Sequence, residues 1–242
     1  MRRAVHIRAS PGDIAEKVVV AGDPGRIRFI AENFLEEPRL VNENRGLLVY
    51  TGKYMGMPVT LATHGIGASS ALLVFEELIA LGAKTIIRLG TCGSLSPSVE
   101  IGDLVIPTVA SYYPGGPYYQ YYGELACGPA APNYEVLKVL IEEASKSGKR
   151  YHIGPVVSSD AFYSEGPDFA ERWNKRGAIA VEMECAALFL IGNMRNVKSS
   201  ALLVTVDSPT HYRRLGPEAI TESMKVAGKI VLETLRRIDV TS

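Results

Sequence analysis

The sequence predicts an α/β fold, with helices on both faces of a mixed β-sheet. Two observations carry this expectation. Strand-length apolar or β-branched runs alternate with amphipathic stretches of helical length from Lys17 onward. The junctions between them hold Gly, Pro and Asn where turns and caps require them. No Ser/Gly-rich or like-charged linker and no internal repeat divides the 242 residues, so a single domain over 1–242 is expected.

The elements follow in order. Lys17–Ala21 is a short β-branched strand running into Gly22-Asp23-Pro24-Gly25, and Ile27–Phe34 continues as a helix. Leu47–Tyr54 and Met57–Thr63 form two strands joined by a turn around Met55-Gly56. Gly67–Leu81 reads as a mostly apolar helix with Leu72, Phe75, Leu78 and Ile79 on one face, ending at Gly82. Thr85–Leu89 and Asp103–Val109 are strands. Tyr112–Pro132 is irregular, crowded with Gly and Pro, and contains six tyrosines. It is too long for a connector, so it is read as a lid or a subunit interface, and its tyrosines favour the interface. Asn133 caps a helix with Val136, Leu137, Leu140, Ile141 and Ala144 inward, closed by Gly148. Ile153–Ser158 is a strand, Met183–Met194 an apolar helix and Ser199–Val206 a late strand. Gly216-Pro217 opens a final helix carrying Ile220, Met224, Ala227, Val231 and Leu235 at helical spacing.

Composition narrows the class. Hydrophobic residues make up 47% of the chain, enough for a substantial core, and Lys+Arg balance Asp+Glu at 26 each. That balance removes the usual driving force for binding nucleic acid or a membrane surface, and neither partner is expected. Met1–Ala9 is short and polar, and no run reaches the roughly 18–20 apolar residues of a membrane span, so a cytoplasmic location is expected. Cys92, Cys127 and Cys185 form no CxxC pair and point to no metal site. They read as core residues, Cys127 least so, and pairing of Cys127 across subunits stays open.

Several segments carry chemistry. Gly22-Asp23-Pro24-Gly25-Arg26 is a glycine-rich turn entering a helix, which offers backbone N–H groups and a guanidinium to an anion; an ordinary tight turn is the alternative. Arg88 lies among Ile86, Ile87 and Leu89 on a buried strand and needs either an internal carboxylate or a bound anion. Gly90 and Gly93 let a ligand approach the backbone there, and Thr91 adds a hydroxyl. Arg45, beside Gly46, is a further cation in a turn. Glu182 and Glu184 flank Met183 at a strand-to-helix junction, suited to helix capping or to accepting hydrogen bonds from a diol. Asp207 follows a strand at the sheet edge where open α/β folds place ligands, although a plain turn residue would also fit.

Taken together and in order, GDPGR, ENRG, THGIG, RLGTCG, SSDAFY, VEMECA and a last strand ending in Asp207 resemble the nucleoside phosphorylase-I family. Within it the chain looks most like the hexameric purine-nucleoside phosphorylases and the related 5′-methylthioadenosine phosphorylases. The resemblance implies a twisted, partly barrel-like sheet and phosphorolysis of purine nucleosides, with inorganic phosphate as co-substrate and no bound cofactor or metal. It implies phosphate on Gly22, Arg26, Arg88 and Thr91, with Arg45 reaching a neighbouring subunit's phosphate. On the nucleoside side it implies Glu184 on the ribose diol, Met183 against the sugar, Glu182 near the base and Phe162 as an aromatic wall. His6 would serve the ribose 5′ end of a neighbouring subunit in a homohexamer, a trimer of dimers. Asp207 would protonate the purine at N7.

The chain departs from the family pattern after Asp207. Val206 replaces the usual Ser, and any of His211, Arg213 or Arg214 could assist the acid. Uridine phosphorylases resemble this chain too, but read uracil with a Gln-x-Arg pair; here Ser164-Glu165-Gly166-Pro167-Asp168 follows Phe162-Tyr163. A nucleosidase would not need three arginines, and a non-catalytic nucleoside-binding module would be expected to lose them or Asp207. The preferred purine nucleoside, whether inosine, guanosine, adenosine or 5′-methylthioadenosine, is left open by the sequence.

Overall fold

The computed structural model describes residues 4–208 and 213–239. The strands are β1 (Lys17–Ala21), β2 (Glu36–Asn42), β3 (Val49–Tyr54), β4 (Met57–Thr63), β5 (Thr85–Ser94), β6 (Leu104–Tyr112), β7 (Tyr151–Ser158), β8 (Ala180–Glu182), β9 (Lys198–Ser208) and β10 (Arg213–Arg214). The helices are α1 (Pro24–Phe34), α2 (Ala68–Ala80), α3 (Gly116–Tyr122), α4 (Tyr134–Lys146), α5 (Phe169–Lys175), α6 (Cys185–Arg195) and α7 (Pro217–Arg237). All the strands join one mixed sheet in the order β10-β9-β6-β7-β8-β5-β1-β4-β3-β2. β9 pairs with β5 as well, which closes β5, β9, β6, β7 and β8 into a ring. The expected partly barrel-like α/β architecture is therefore observed.

Alternation along the central strands sorts the core into two layers. Val18, Val20 and Ile86 face α2 and α6, packing with Phe75, Leu78, Leu188 and Phe189. Val19, Ile87 and Leu89 face the other way, against Ile27 and Ile30 of α1 and Val231 and Leu235 of α7. Arg88 falls in register with Ile86, so the period of two sends it toward the α2/α6 layer. There it meets the N-termini of both helices.

Some elements differ from expectation. β2 has an almost wholly exposed pattern and pairs only with β3, so the sequence shows no buried face to read. The Tyr112–Pro132 stretch is not entirely irregular: Gly116–Tyr122 is helical, with Pro117 in its first turn and left-handed Gly123 closing it. Tyrosines on all sides of that short helix mask its period. β5 runs on through Gly90 and Gly93 to Ser94, α6 starts at Cys185 rather than Met183, and β9 continues through Asp207 to Ser208. Cys92 and Cys185 are core residues, whereas Cys127 is exposed.

Candidate active site

Register assembles one corner of the site. β1 runs parallel to β4, with Ala21 opposite Thr63, and parallel to β5, with Val20 opposite Arg88. Gly22 and His64 therefore follow the carboxyl ends of β1 and β4, beside Leu89-Gly90 partway along the longer β5, at the usual ligand edge of such sheets. Asp23 caps α1 by accepting from the Gly25 N–H at 2.8 Å, which seats Arg26 in the first turn. Arg26 is half-buried and donates from Nη1 to the Leu89 carbonyl at 3.0 Å, bringing two distant segments together. Its pKa falls to about 10, because burial and then the neighbouring Arg88 charge oppose a second cation.

Arg88 is only 4% exposed. Its Nη2 donates to Glu184 Oε2 and lies 3.2 Å from Glu182 Oε2. Its Nε and Nη1 have no partner among the described residues. The internal-carboxylate alternative for Arg88 is therefore observed at one end of the guanidinium, while its other two nitrogens are unpartnered among the described residues. Gly90 makes the geometry possible, since a Cβ there would sit 1.5 Å from Arg88 Nη1. Thr91 stands next to it, half-buried.

The two glutamates have different surroundings. Glu182 is held by the Ser158 hydroxyl and caps α6, accepting from the backbone N–H of Glu184 at 2.7 Å and Cys185 at 2.8 Å. Glu184 accepts from the Gly67 N–H at 2.7 Å, at the start of α2, as well as from Arg88. Burial alone would raise the Glu184 pKa, but Arg88 and the Gly67 N–H bring it below the ordinary value. An ionised carboxylate thus sits where the positive ends of two helices meet. Met183, between the glutamates, is half-buried.

Asp207 lies at the far end of the same edge, paired with Gly93 of β5 and Arg214 of β10. It is half-buried, and burial raises its pKa against the opposing charge of Arg214. Arg214 itself is exposed; His211 and the Arg213 side chain lie outside the described residues. Phe162 is 55% exposed and meets Tyr163 edge to face at 5.2 Å. A cleft of about 470 Å³ opens beside this end, walled by Tyr113, Tyr118, Ser159, Asp160, Phe169 and Arg172.

Two expected residues stand apart. Arg45 is exposed in a 3₁₀ turn with φ of 59°. His6 donates from Nδ1 at 2.7 Å to the Glu77 carboxylate, which also accepts from the N–H groups of Val5, His6 and Ile7. Asn44 donates to the His6 carbonyl at 2.9 Å, so His6 and the Arg45 turn form one tethered corner.

Two further residues, Asp160 and Tyr118, line the cleft. Asp160 accepts from the Ala68 N–H at 2.7 Å, and its pKa is raised by burial and by Glu184. Tyr118 is stacked on Tyr112 at 4.3 Å with its hydroxyl buried and unpartnered among the described residues. Asp160 sits in the quoted SSDAFY segment and was legible there; Tyr118 was hidden among equivalent tyrosines.

Residues 16–238 match the model of the phosphorylase superfamily. The chain belongs to the phosphorylase superfamily. It is 38% identical over 230 residues to a purine nucleoside phosphorylase DeoD-type of Jannaschia sp. (strain CCS1), covering 95% of this chain and 97% of the relative. It is 35% identical over 207 residues to a guanosine phosphorylase of Halorubrum lacusprofundi, covering 86% and 84%. Among solved structures of the superfamily, a uridine phosphorylase from Vibrio fischeri ES114 superimposes with a TM-score of 0.88 at 29% identity, over 98% and 99% of the two chains. A purine nucleoside phosphorylase from Toxoplasma gondii, in complex with immucillin-H, gives 0.86 at 28% identity, over 97% and 96%. No helix among the described residues of this superfamily member is long and apolar enough to cross a membrane.

Proposed function

We propose that this superfamily member is a purine-nucleoside phosphorylase, a pentosyltransferase that converts a purine nucleoside and inorganic phosphate to free base and pentose 1-phosphate. The observation that carries the reading is the Arg88 guanidinium, which binds Glu184 through Nη2 while its buried Nε and Nη1 remain unpartnered among the described residues, close enough to Arg26 for the two charges to repel. An anion site is thereby joined to a sugar-binding carboxylate. The names of the relatives above support the purine class.

In this reading phosphate rests on Gly22, Arg26, Arg88 and Thr91, poised below C1′. Glu184, ionised, accepts from the ribose hydroxyls, with Met183 against the sugar and Glu182 holding Glu184 and Arg88 in place. As the glycosidic bond breaks, anionic phosphate stabilises the positive charge developing on the sugar. Asp207, whose pKa burial raises, donates a proton to N7 so that the base leaves neutral. Phe162 and the adjoining cleft receive the base. His6 and Arg45 act on a neighbouring copy in a homo-oligomer, in keeping with the corner that Asn44 ties together by donating to the His6 carbonyl. No cofactor enters this scheme, and one domain spanning the chain carries it out.

Release of free base from inosine, guanosine, adenosine, 5′-methylthioadenosine and uridine, with and without phosphate, tests the proposal. Phosphate-dependent release from the purines alone is expected. Release without phosphate would make it a nucleosidase, and preference for uridine would overturn the purine reading.

A further inference from the structure

Helix α2 starts after Gly67, which has no side chain to cap it where Ser, Thr, Asp or Asn would usually satisfy one of the first amides. The chain enters through Gly65 and Gly67, with φ of 75° and 83°, on either side of the exposed Ile66. Two left-handed glycines around an exposed side chain do little to fix where the helix begins. The Ser70 hydroxyl closes this turn locally by donating to the His64 carbonyl at 2.7 Å.

Two carboxylates from distant parts of the chain take the leading amides instead. Glu184 accepts from the Gly67 N–H and Asp160 from the next one, that of Ala68, each at 2.7 Å. Glu184 is buried and also bound by Arg88, whereas Asp160 is exposed on the cleft wall, in the loop after β7. A Cβ on Gly67 would lie 3.2 Å from Asp160 Oδ1, so the glycine lets this carboxylate close onto the helix. The two acids are near enough for Glu184 to push the Asp160 pKa upward. Like charges on neighbouring amides oppose each other, so the second one needs a use. Capping supplies it: Asp160 ties the first turn of α2 to the SSDAFY loop, and that turn carries the Gly67 N–H that Glu184 holds.

We propose that Asp160 is a positioning residue: by capping α2 at Ala68 it keeps the Gly67 N–H against Glu184 and that carboxylate aimed at the sugar. This rests on the functional reading above, in which Glu184 accepts from the ribose hydroxyls. Asp160 itself touches no substrate atom in this role. Calorimetry on wild type, Asp160→Ala and Asp160→Asn tests it. The ligands are inosine (or adenosine, if wild type prefers it), the matching free base and inorganic phosphate. Only the nucleoside carries a sugar, whereas general damage to the site would weaken all three. Asp160→Ala should weaken nucleoside binding about tenfold, with base and phosphate within about twofold of wild type. Asp160→Asn keeps an oxygen for the Ala68 N–H and should restore nucleoside affinity to within about twofold. Unchanged nucleoside affinity in Asp160→Ala, equal weakening of all three ligands, or an Asn variant as poor as Ala overturns the assignment. If Asp160→Ala does not fold, Gly67→Ala, whose Cβ presses on Asp160 Oδ1, is measured in its place, and wild-type nucleoside affinity there overturns it equally. Wild-type protein that phosphorolyses purine nucleosides while Asp160→Ala binds them normally refutes Asp160 alone. Wild-type protein that binds neither nucleoside brings down the phosphorylase reading and this inference together.

Discussion

The two ends of the site are built differently. At the Arg88 end, Arg88, Glu182, Glu184 and His64 are almost fully buried and interlocked by strands β1, β4 and β5 and the N-termini of α2 and α6. At the Asp207 end, Asp207 is half-buried, Phe162 and Tyr163 are exposed, and the neighbouring cleft is walled by the tyrosine-rich segment. One end is a preorganised charge network; the other is an open platform. In the proposed function, charge that must be placed accurately is held in the buried network, whereas base recognition falls to surfaces that can vary without disturbing the core.

Breaking the buried network should have the largest effect. Arg88→Met leaves Glu182 and Glu184 buried without their cation, so a stability loss of roughly 3–5 kcal/mol is expected by denaturant titration. Its kcat/KM for phosphorolysis should fall by about 10³-fold or more. A variant of wild-type stability and activity would show that the network is not a unit.

Asp207→Asn probes the open end and should separate catalysis from folding. Turnover of natural purine nucleosides should fall by about 10²-fold, with 7-methylated nucleosides, which need no proton at N7, much less affected. The sign with pH follows from the raised pKa of Asp207. Its protonated form, the donor, persists to higher pH than that of a free Asp and is lost as pH rises through its folded pKa, so wild-type activity should decline there. Stability follows the same direction: it is highest below the unfolded pKa and declines through the folded one. Asn removes that decline, so Asp207→Asn should melt at or above the wild-type temperature at neutral pH. Equal loss of turnover on methylated and natural substrates would rule out proton donation.

Gly90→Ala sharpens the comparison from the buried side. The new Cβ would fall 1.5 Å from Arg88 Nη1 and 2.7 Å from Leu203, so the guanidinium must move. We expect the KM for phosphate to rise by about ten- to a hundredfold, with a stability loss of roughly 1–3 kcal/mol. The smallest effect belongs to Phe162→Ala: melting should stay within about 0.5 kcal/mol of wild type while nucleoside KM rises a few-fold. Steady-state kinetics and thermal melts on the same preparations check both.

Legibility in the sequence followed the same division. Arg88 was readable because a lone charge among Ile86, Ile87 and Leu89 must be buried, and Gly22-Asp23-Pro24-Gly25-Arg26 because a glycine turn entering a helix has a known use. The motif THGIG is visible in the sequence, yet an isolated His beside an apolar strand looks like any core residue. Tyr118 and helix α3 were lost because six tyrosines in one stretch carry no period.

The sequence by itself determined the alternation of strands and helices, the family motifs, and which residue types carry charge or turn chemistry, because these are local properties of the chain. Only the tertiary structure decided that Arg26 and Arg88 share the Leu89-Gly90 edge, that one guanidinium serves two carboxylates, and that β9 closes the ring onto β5 to set Asp207 opposite Gly93. Those facts depend on strand register and on which helix ends meet. Both arise from contacts between residues far apart in sequence, which no local pattern encodes.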